Sequence, residues 1–214
     1  KNDFGQSLAA GFKEGASKLG LKVVNEYEYG MADRQFGPLV SKVKADNPEV
    51  IYASGYYFNA GPLVSQLRAA GVTVPIIGQE GYDSEKFIDI AGPASDGTLI
   101  TTSLDRDSDS PVTKTFLADF RRATGVGADM VAASSYTATS VAIEGLRKTG
   151  GKGGEALKNA LASGTYDTPI GKLAFNDLHE VQKSLQVQIV KDKAFHRHSV
   201  ISDAVLLAPP SKPK

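Results

Sequence analysis

Two short apolar runs, each ending in a glycine-bearing loop, constrain the fold of this chain most. Val50-Ile51-Tyr52-Ala53-Ser54 leads into Gly55-Tyr56-Tyr57, and Val74-Pro75-Ile76-Ile77 leads into Gly78-Gln79-Glu80-Gly81. Between them residues 60–70 carry helical spacing, stopped by Gly71. A strand–helix–strand unit crosses over right-handed, so both loops must leave at the carboxyl edge of one parallel sheet. Open α/β sheets bind ligands at that edge. An aromatic pair and a lone carboxylate thereby reach one crevice, which suits a ligand with a positive charge.

The rest of the first half repeats the alternation. Ser7 to Leu19 has Leu8, Phe12, Ala16 and Leu19 at helical spacing, with Glu14 and Lys18 paired outside and Gly20 ending the helix. Leu21 to Tyr27 alternates as a strand. Phe36 to Ala45 reads as a helix closed by Asn47-Pro48. Ser84 caps a short helix to Ile90, Thr98 to Thr102 is a buried strand, and Ser110-Pro111 opens a helix to residue 123. Such alternation predicts an α/β fold, a parallel sheet flanked by helices. The series lacks a first strand, which is central in flavodoxin-like order. The chain is therefore expected to form a structurally incomplete lobe.

After Gly125-Val126-Gly127 the pattern changes. Val131 to Thr149 and Glu155 to Ala162 read as helices on either side of the turn at Gly150 to Gly154. Gly171 to Phe175, Leu185 to Val190 and Phe195 to Ile201 read as strands. Pro209 to Lys214 is too rich in Pro and Lys to pack.

Composition narrows the function. The 24 basic and 24 acidic residues cancel, so there is no electrostatic footprint for nucleic acid or an anionic membrane. No apolar run reaches the ~20 residues that span a bilayer. Without cysteine there is no disulfide and no thiolate metal site. The chain opens without Met or a signal peptide, so it reads as a mature or trimmed piece of something longer. Asp105-x-Asp107-x-Asp109 has calcium-loop spacing, but Ser110 stands where such a loop needs glycine and Phe116 where it needs glutamate. His196 and His198 share a strand face with no third ligand in view. Lys152 lacks the following Ser or Thr of a phosphate-binding loop. No nucleophile–base pattern stands out, so neither an enzyme nor a cofactor or metal is expected.

Several motifs occur in a fixed order: Asp3-Phe4-Gly5 at a helix start, Gly55-Tyr56-Tyr57, Gly78-x-Glu80-Gly81, Ala91-Gly92-x-x-x-x-Gly97, Tyr136-x-Ala138 and Thr168-x-x-Gly171-x-Leu173-x-Phe175. The ordered set resembles the branched-chain amino-acid type of periplasmic substrate-binding protein, the soluble receptor of an ABC importer. The resemblance implies two α/β lobes that close on a ligand about three crossover strands. It implies that residues 1–127 and 172–200 form the second lobe and 128–171 a helical excursion of the first. Residues 201–214 would be a tail, and most of the first lobe is absent. It also implies a periplasmic protein that binds a neutral amino acid or amide and partners an importer permease. Residue by residue, Glu80 matches the carboxylate that pairs with the ligand α-ammonium, and Tyr56 the tyrosine beside it. Phe4 matches an aromatic that packs on the ligand. Val131 stands where the family often has an aromatic, which alters one pocket wall. From the residues alone, Glu80 could also be an ordinary loop acid and Phe4 a core residue. Of Tyr56 and Tyr57, one faces the ligand and the other is structural. A ligand-sensing domain of a receptor or regulator on the same fold is the alternative function.

Overall fold

A computed structural model of the chain describes residues 2–204 and 206–207. Residues 205 and 208–214, most of the expected tail, lie outside the described residues. In chain order the elements are helices α1 (Asp3–Lys18) and α2 (Gly37–Asp46), strand β1 (Ile51–Tyr52), α3 (Tyr57–Ala69), β2 (Ile76–Gly78), α4 (Glu85–Ala91) and β3 (Leu99–Thr102). Then come α5 (Pro111–Thr124), α6 (Met130–Lys148), α7 (Gly154–Ala162), β4 (Thr165–Thr168), β5 (Gly171–Phe175), β6 (Val181–Gln182), β7 (Leu185–Lys191) and β8 (Ala194–Ile201). Two compact units divide the chain, one holding residues 2–101 and 189–195, the other 102–188 and 196–204. The chain passes between them inside β3, β7 and β8.

The order β1-β2-β3-β7-β8 makes one five-stranded sheet. Its first three strands are parallel, with Ile51 opposite Ile76 and Ile77 opposite Leu99. β7 and β8 are joined through Asp192 and Lys193, both at positive φ as a two-residue hairpin turn requires. The sheet is therefore parallel over β1, β2 and β3 and ends in the β7–β8 hairpin.

In the first unit, helix α3 buries Ala60, Leu63, Val64 and Leu67, the i, i+3, i+4, i+7 stripe of a core-facing helix. They pack with Ile76, Tyr82, Phe87 and Ile100. At Gly61 a Cβ would lie 2.5 Å from the Ile90 side chain, so glycine lets α3 approach α4 closely. Helix α1 starts at Asp3 rather than Ser7, because the Asn2 side chain accepts from the Gly5 N–H at 2.9 Å and caps it. Its Phe12 ring stacks on Tyr52 at 4.3 Å.

The strand expected at Leu21 to Tyr27 does not form; the segment joins no ladder. Its side chains are held instead to the end of α2, where Asn25 Nδ2 and Tyr27 OH donate to the two Asp46 carboxylate oxygens. A groove of about 480 Å³ separates it from pairing, lined by both Leu21 to Tyr27 and Val50 to Ser54. On β1, Ile51 and Ala53 donate to Pro75 O and Ile77 O of the β2 side. Alternation turns the Tyr52 N–H and C=O to the opposite edge. A strand needs a neighbour to satisfy its backbone, and among the described residues Leu21 to Tyr27 pairs with none. Leu21, Val23, Val24 and Val50 are exposed in consequence.

The second unit has its own core of Leu104, Phe116, Ala133, Val141, Tyr166, Ile170 and Leu173. Strands β4, β5 and β6 form an antiparallel sheet with Tyr166 opposite Leu173. Thr168 Oγ1 donates to Gly171 O at 2.6 Å and accepts from the Ile170 N–H at 3.3 Å, closing the β4–β5 turn. Helix α5 packs in this unit: Phe116 meets the Tyr136 ring at 5.0 Å, and Thr113 Oγ1 donates to Pro169 O at 3.1 Å. Residues 127 and 128 both fall in this unit, which begins at Thr102.

Candidate functional site

The site residues are positioned by the ends of β1 and β2. Beyond β1, the Tyr29 hydroxyl donates to Ser54 O, and a Cβ at Gly55 would lie 2.1 Å from that hydroxyl oxygen. Tyr56 then takes the N-cap position of α3 in an extended conformation, φ −118° and ψ 159°. Tyr57 is already helical and packs against the apolar core. The change of backbone between the two residues separates the aromatic pair. Tyr56 is stacked between Phe4 at 5.2 Å and Phe58 at 5.5 Å, and Asn2 Nδ2 donates to its hydroxyl at 3.4 Å.

Beyond β2, the chain turns sharply through a 3-10 turn, Glu80–Tyr82. Gly78 permits it, since a Cβ there would lie 2.4 Å from the buried Tyr82 ring. Glu80 leads the turn and is partly buried. Gly81 lies against the other loop: a Cβ would sit 2.0 Å from Gly55 O and 3.2 Å from Tyr56 Cα. The two strand-end loops thus touch backbone to backbone, with Glu80 adjacent to the contact. The first unit brings Phe4, Tyr56 and Glu80 to one sheet edge. Val131 lies on α6 in the other unit and is 62% exposed.

Sequence reasoning passed over three further residues at this edge. Gln79 is buried and bonds both loops. Asn59 is buried on α3 and donates to Met31 O and Asp33 O at 3.0 and 2.9 Å. Tyr29 supports Ser54. Only Gln79 lies inside a motif visible in the sequence, where its position counts as variable. A cavity of about 70 Å³ lies beside them, lined by Asn2, Gly5, Tyr29, Ser54, Tyr56 and Asn59.

Burial pushes the Tyr29 and Tyr52 phenols up to about 12, and burial raises Tyr82 well above the ordinary value. A raised folded-state value favours the neutral phenol. Its stabilising contribution is complete below the unfolded value near 10 and is lost as pH rises through about 12. Tyr29→Phe is therefore expected to flatten the alkaline fall in unfolding free energy by about 1.4 kcal/mol per pH unit between roughly pH 10 and 12. Urea denaturation across that range measures the slope; identical slopes for both proteins would contradict the burial of this phenol.

The Asp105, Asp107 and Asp109 carboxylates lie in the second unit and meet cations of the chain itself. Arg197 Nε donates to Asp105 Oδ2 at 2.8 Å, and the Arg197 N–H to Asp107 Oδ2 at 2.6 Å. Lys114 pairs with Asp109 at 3.1 Å and holds that carboxyl below its ordinary range. These bonds pin β8 to the loop after β3. No helix among the described residues is long and apolar enough to cross a membrane.

A carboxylate beside an aromatic, on glycine-tightened loops at the carboxyl edge of a sheet, can hold an ammonium group. Residues 1–194 match the sequence profile of the family described as periplasmic binding protein. The chain belongs to the periplasmic binding protein family. Its relatives are of the branched-chain amino-acid type. It is 29% identical over 177 residues to the leucine-, isoleucine-, valine-, threonine- and alanine-binding protein of Pseudomonas aeruginosa, covering 83% of this chain and 47% of that protein. It is 30% identical over 179 residues to Leu/Ile/Val-binding protein homolog 3 of Brucella melitensis, covering 83% and 48%. Among solved structures, a leucine binding protein of Thermotoga maritima superposes with TM-score 0.85 at 25% identity, covering 94% of this chain and 57% of that one. As a periplasmic binding protein, the chain spans about half the length of the curated relatives it matches.

Proposed function

We propose that this chain is part of the substrate-binding component of an ABC importer and contributes one side of a cleft for a neutral amino acid or its amide. The packing of the Glu80 turn on the Tyr56 loop carries this reading. Glu80 accepts the ligand α-ammonium, and Tyr56 and Phe4 offer apolar surface next to it. No Arg or Lys occupies the loops at 55–58 and 78–82 themselves, although the Arg34 guanidinium lies 4.9 Å from the centre of the Phe58 ring. Residues 1–127 and 172–200 form the second lobe, and residues 128–171 are a helical excursion of the first. Val131 is a further proposed ligand contact. The whole protein works in the periplasm and delivers its ligand to an importer permease.

The reading is tested by a thermal-shift panel on the full-length protein. A ligand at a hundredfold its Kd adds ~2.7 kcal/mol, a shift of several degrees. Leucine, isoleucine, valine or a small aromatic amino acid is expected to give that shift. Stabilisation only by sugars, phosphates or dicarboxylic acids would overturn it.

A further inference from the structure

Gln79 sits between Gly78 and Glu80 with 1% of its surface exposed. Its Nε2 donates to Gly55 O at 2.6 Å, and its Oε1 accepts from the Gly81 N–H at 2.6 Å. One end of the amide grips the loop that carries Tyr56; the other grips the turn that Glu80 leads. A buried amide is costly unless its polar atoms are paired, and here both ends are. The joint has no slack, because Gly81 already lies in backbone contact with Gly55 and Tyr56. A glutamate of the same length would keep the bond from Gly81 but set a second carboxylate against Gly55 O and beside Glu80, where like charges oppose ionisation. The neutral amide avoids both.

We propose that Gln79 is a positioning residue for ligand recognition: it fixes Glu80 relative to Tyr56 and so sets where a ligand ammonium can be held. The proposal rests on the amino-acid-binding reading above. Any slip of Gly81 moves the preceding Glu80, and hydrogen bonds weaken steeply once their angle opens. Small displacements of a binding group are costly even when the fold survives.

A double-mutant cycle on the full-length protein separates this role from a purely structural one. L-leucine is titrated by calorimetry into wild type, Gln79→Met, Glu80→Gln and the double variant. Gln79→Met keeps the side-chain length and removes both hydrogen bonds. It is expected to weaken leucine about tenfold when Glu80 is intact but less than about twofold in the Glu80→Gln background, since positioning has nothing left to act on. Its melting temperature should fall by the same amount in both backgrounds. If Gln79→Met does not fold, Gln79→Asn, a neutral amide one methylene too short to reach both loops, replaces it and the same coupling is expected. A coupling of about threefold or more supports the proposal. Equal losses in both backgrounds, or no loss in either, would overturn it alone. A Glu80→Gln protein that binds leucine like wild type would remove the Glu80 reading together with the proposal.

Discussion

Replacing Glu80 by alanine is expected to weaken L-leucine binding by the full-length protein at least ~30-fold. Glu80 leads a turn whose next residue touches Tyr56 Cα, so its carboxylate is held at the sheet edge rather than on a mobile loop. A hydrogen bond from an ammonium to a carboxylate is roughly twice as strong as a neutral one. Once the cleft closes and water leaves, removing one partner costs ~2–5 kcal/mol, and 1.4 kcal/mol is tenfold in affinity. Much of that cost is the stranded ammonium of the ligand. The effect should therefore appear with any amino acid the protein binds, whatever its side chain. Titration calorimetry measures it, and an unchanged affinity would take Glu80 out of the site.

The 214-residue chain produced by itself is expected to aggregate, swap or stay partly molten. The outer edge of β1 faces the 480 Å³ groove, with the Tyr52 backbone groups turned into it. An open strand edge of this kind offers its N–H and C=O groups to a strand of another chain. Leu21, Val23, Val24 and Val50 are exposed around the same unit. In the other unit Val131, Ile143 and Leu146 of α6 are 62%, 44% and 37% exposed. Unpaired strand edges and exposed apolar patches both drive self-association. Light scattering after gel filtration gives the mass, and an apolar fluorescent dye reports the exposed surface. A cooperative, dye-free monomer with micromolar leucine affinity would contradict both the open edge and the two-lobed site.

The helices were legible because their signals are local. Ser84 accepts from the Lys86 N–H, and α5 starts at Pro111 as the proline predicts, although the Ser110 side chain makes no capping bond. The strand at Leu21 to Tyr27 misled because alternation reports which face is apolar but not whether a neighbour exists. Thr165–Thr168 escaped notice because its residues are polar or half-polar, and only packing on β5 buries Tyr166 and Thr168. The crossing at 101/102 leaves no trace in composition, since the chain changes unit inside one strand. Within the candidate site, Glu80 and Gly81 stood out because glycine brackets an acid after an apolar run. Gln79 did not, because nothing in a polar side chain's identity tells whether it will be buried. The split of Tyr56 from Tyr57 follows from α3 beginning at Tyr57, which the aromatic run itself does not mark.

Recognition of an ammonium group is the central claim, and three compounds of one shape test it. L-leucine, L-leucinamide and 4-methylpentanoic acid share a side chain; only the first two carry the ammonium. Calorimetric titration of the full-length protein is expected to show binding of leucine and leucinamide, with the deaminated acid at least ~30-fold weaker than leucine. A deaminated acid that binds as tightly as leucine would contradict the account, because Glu80 would then face no ammonium at all.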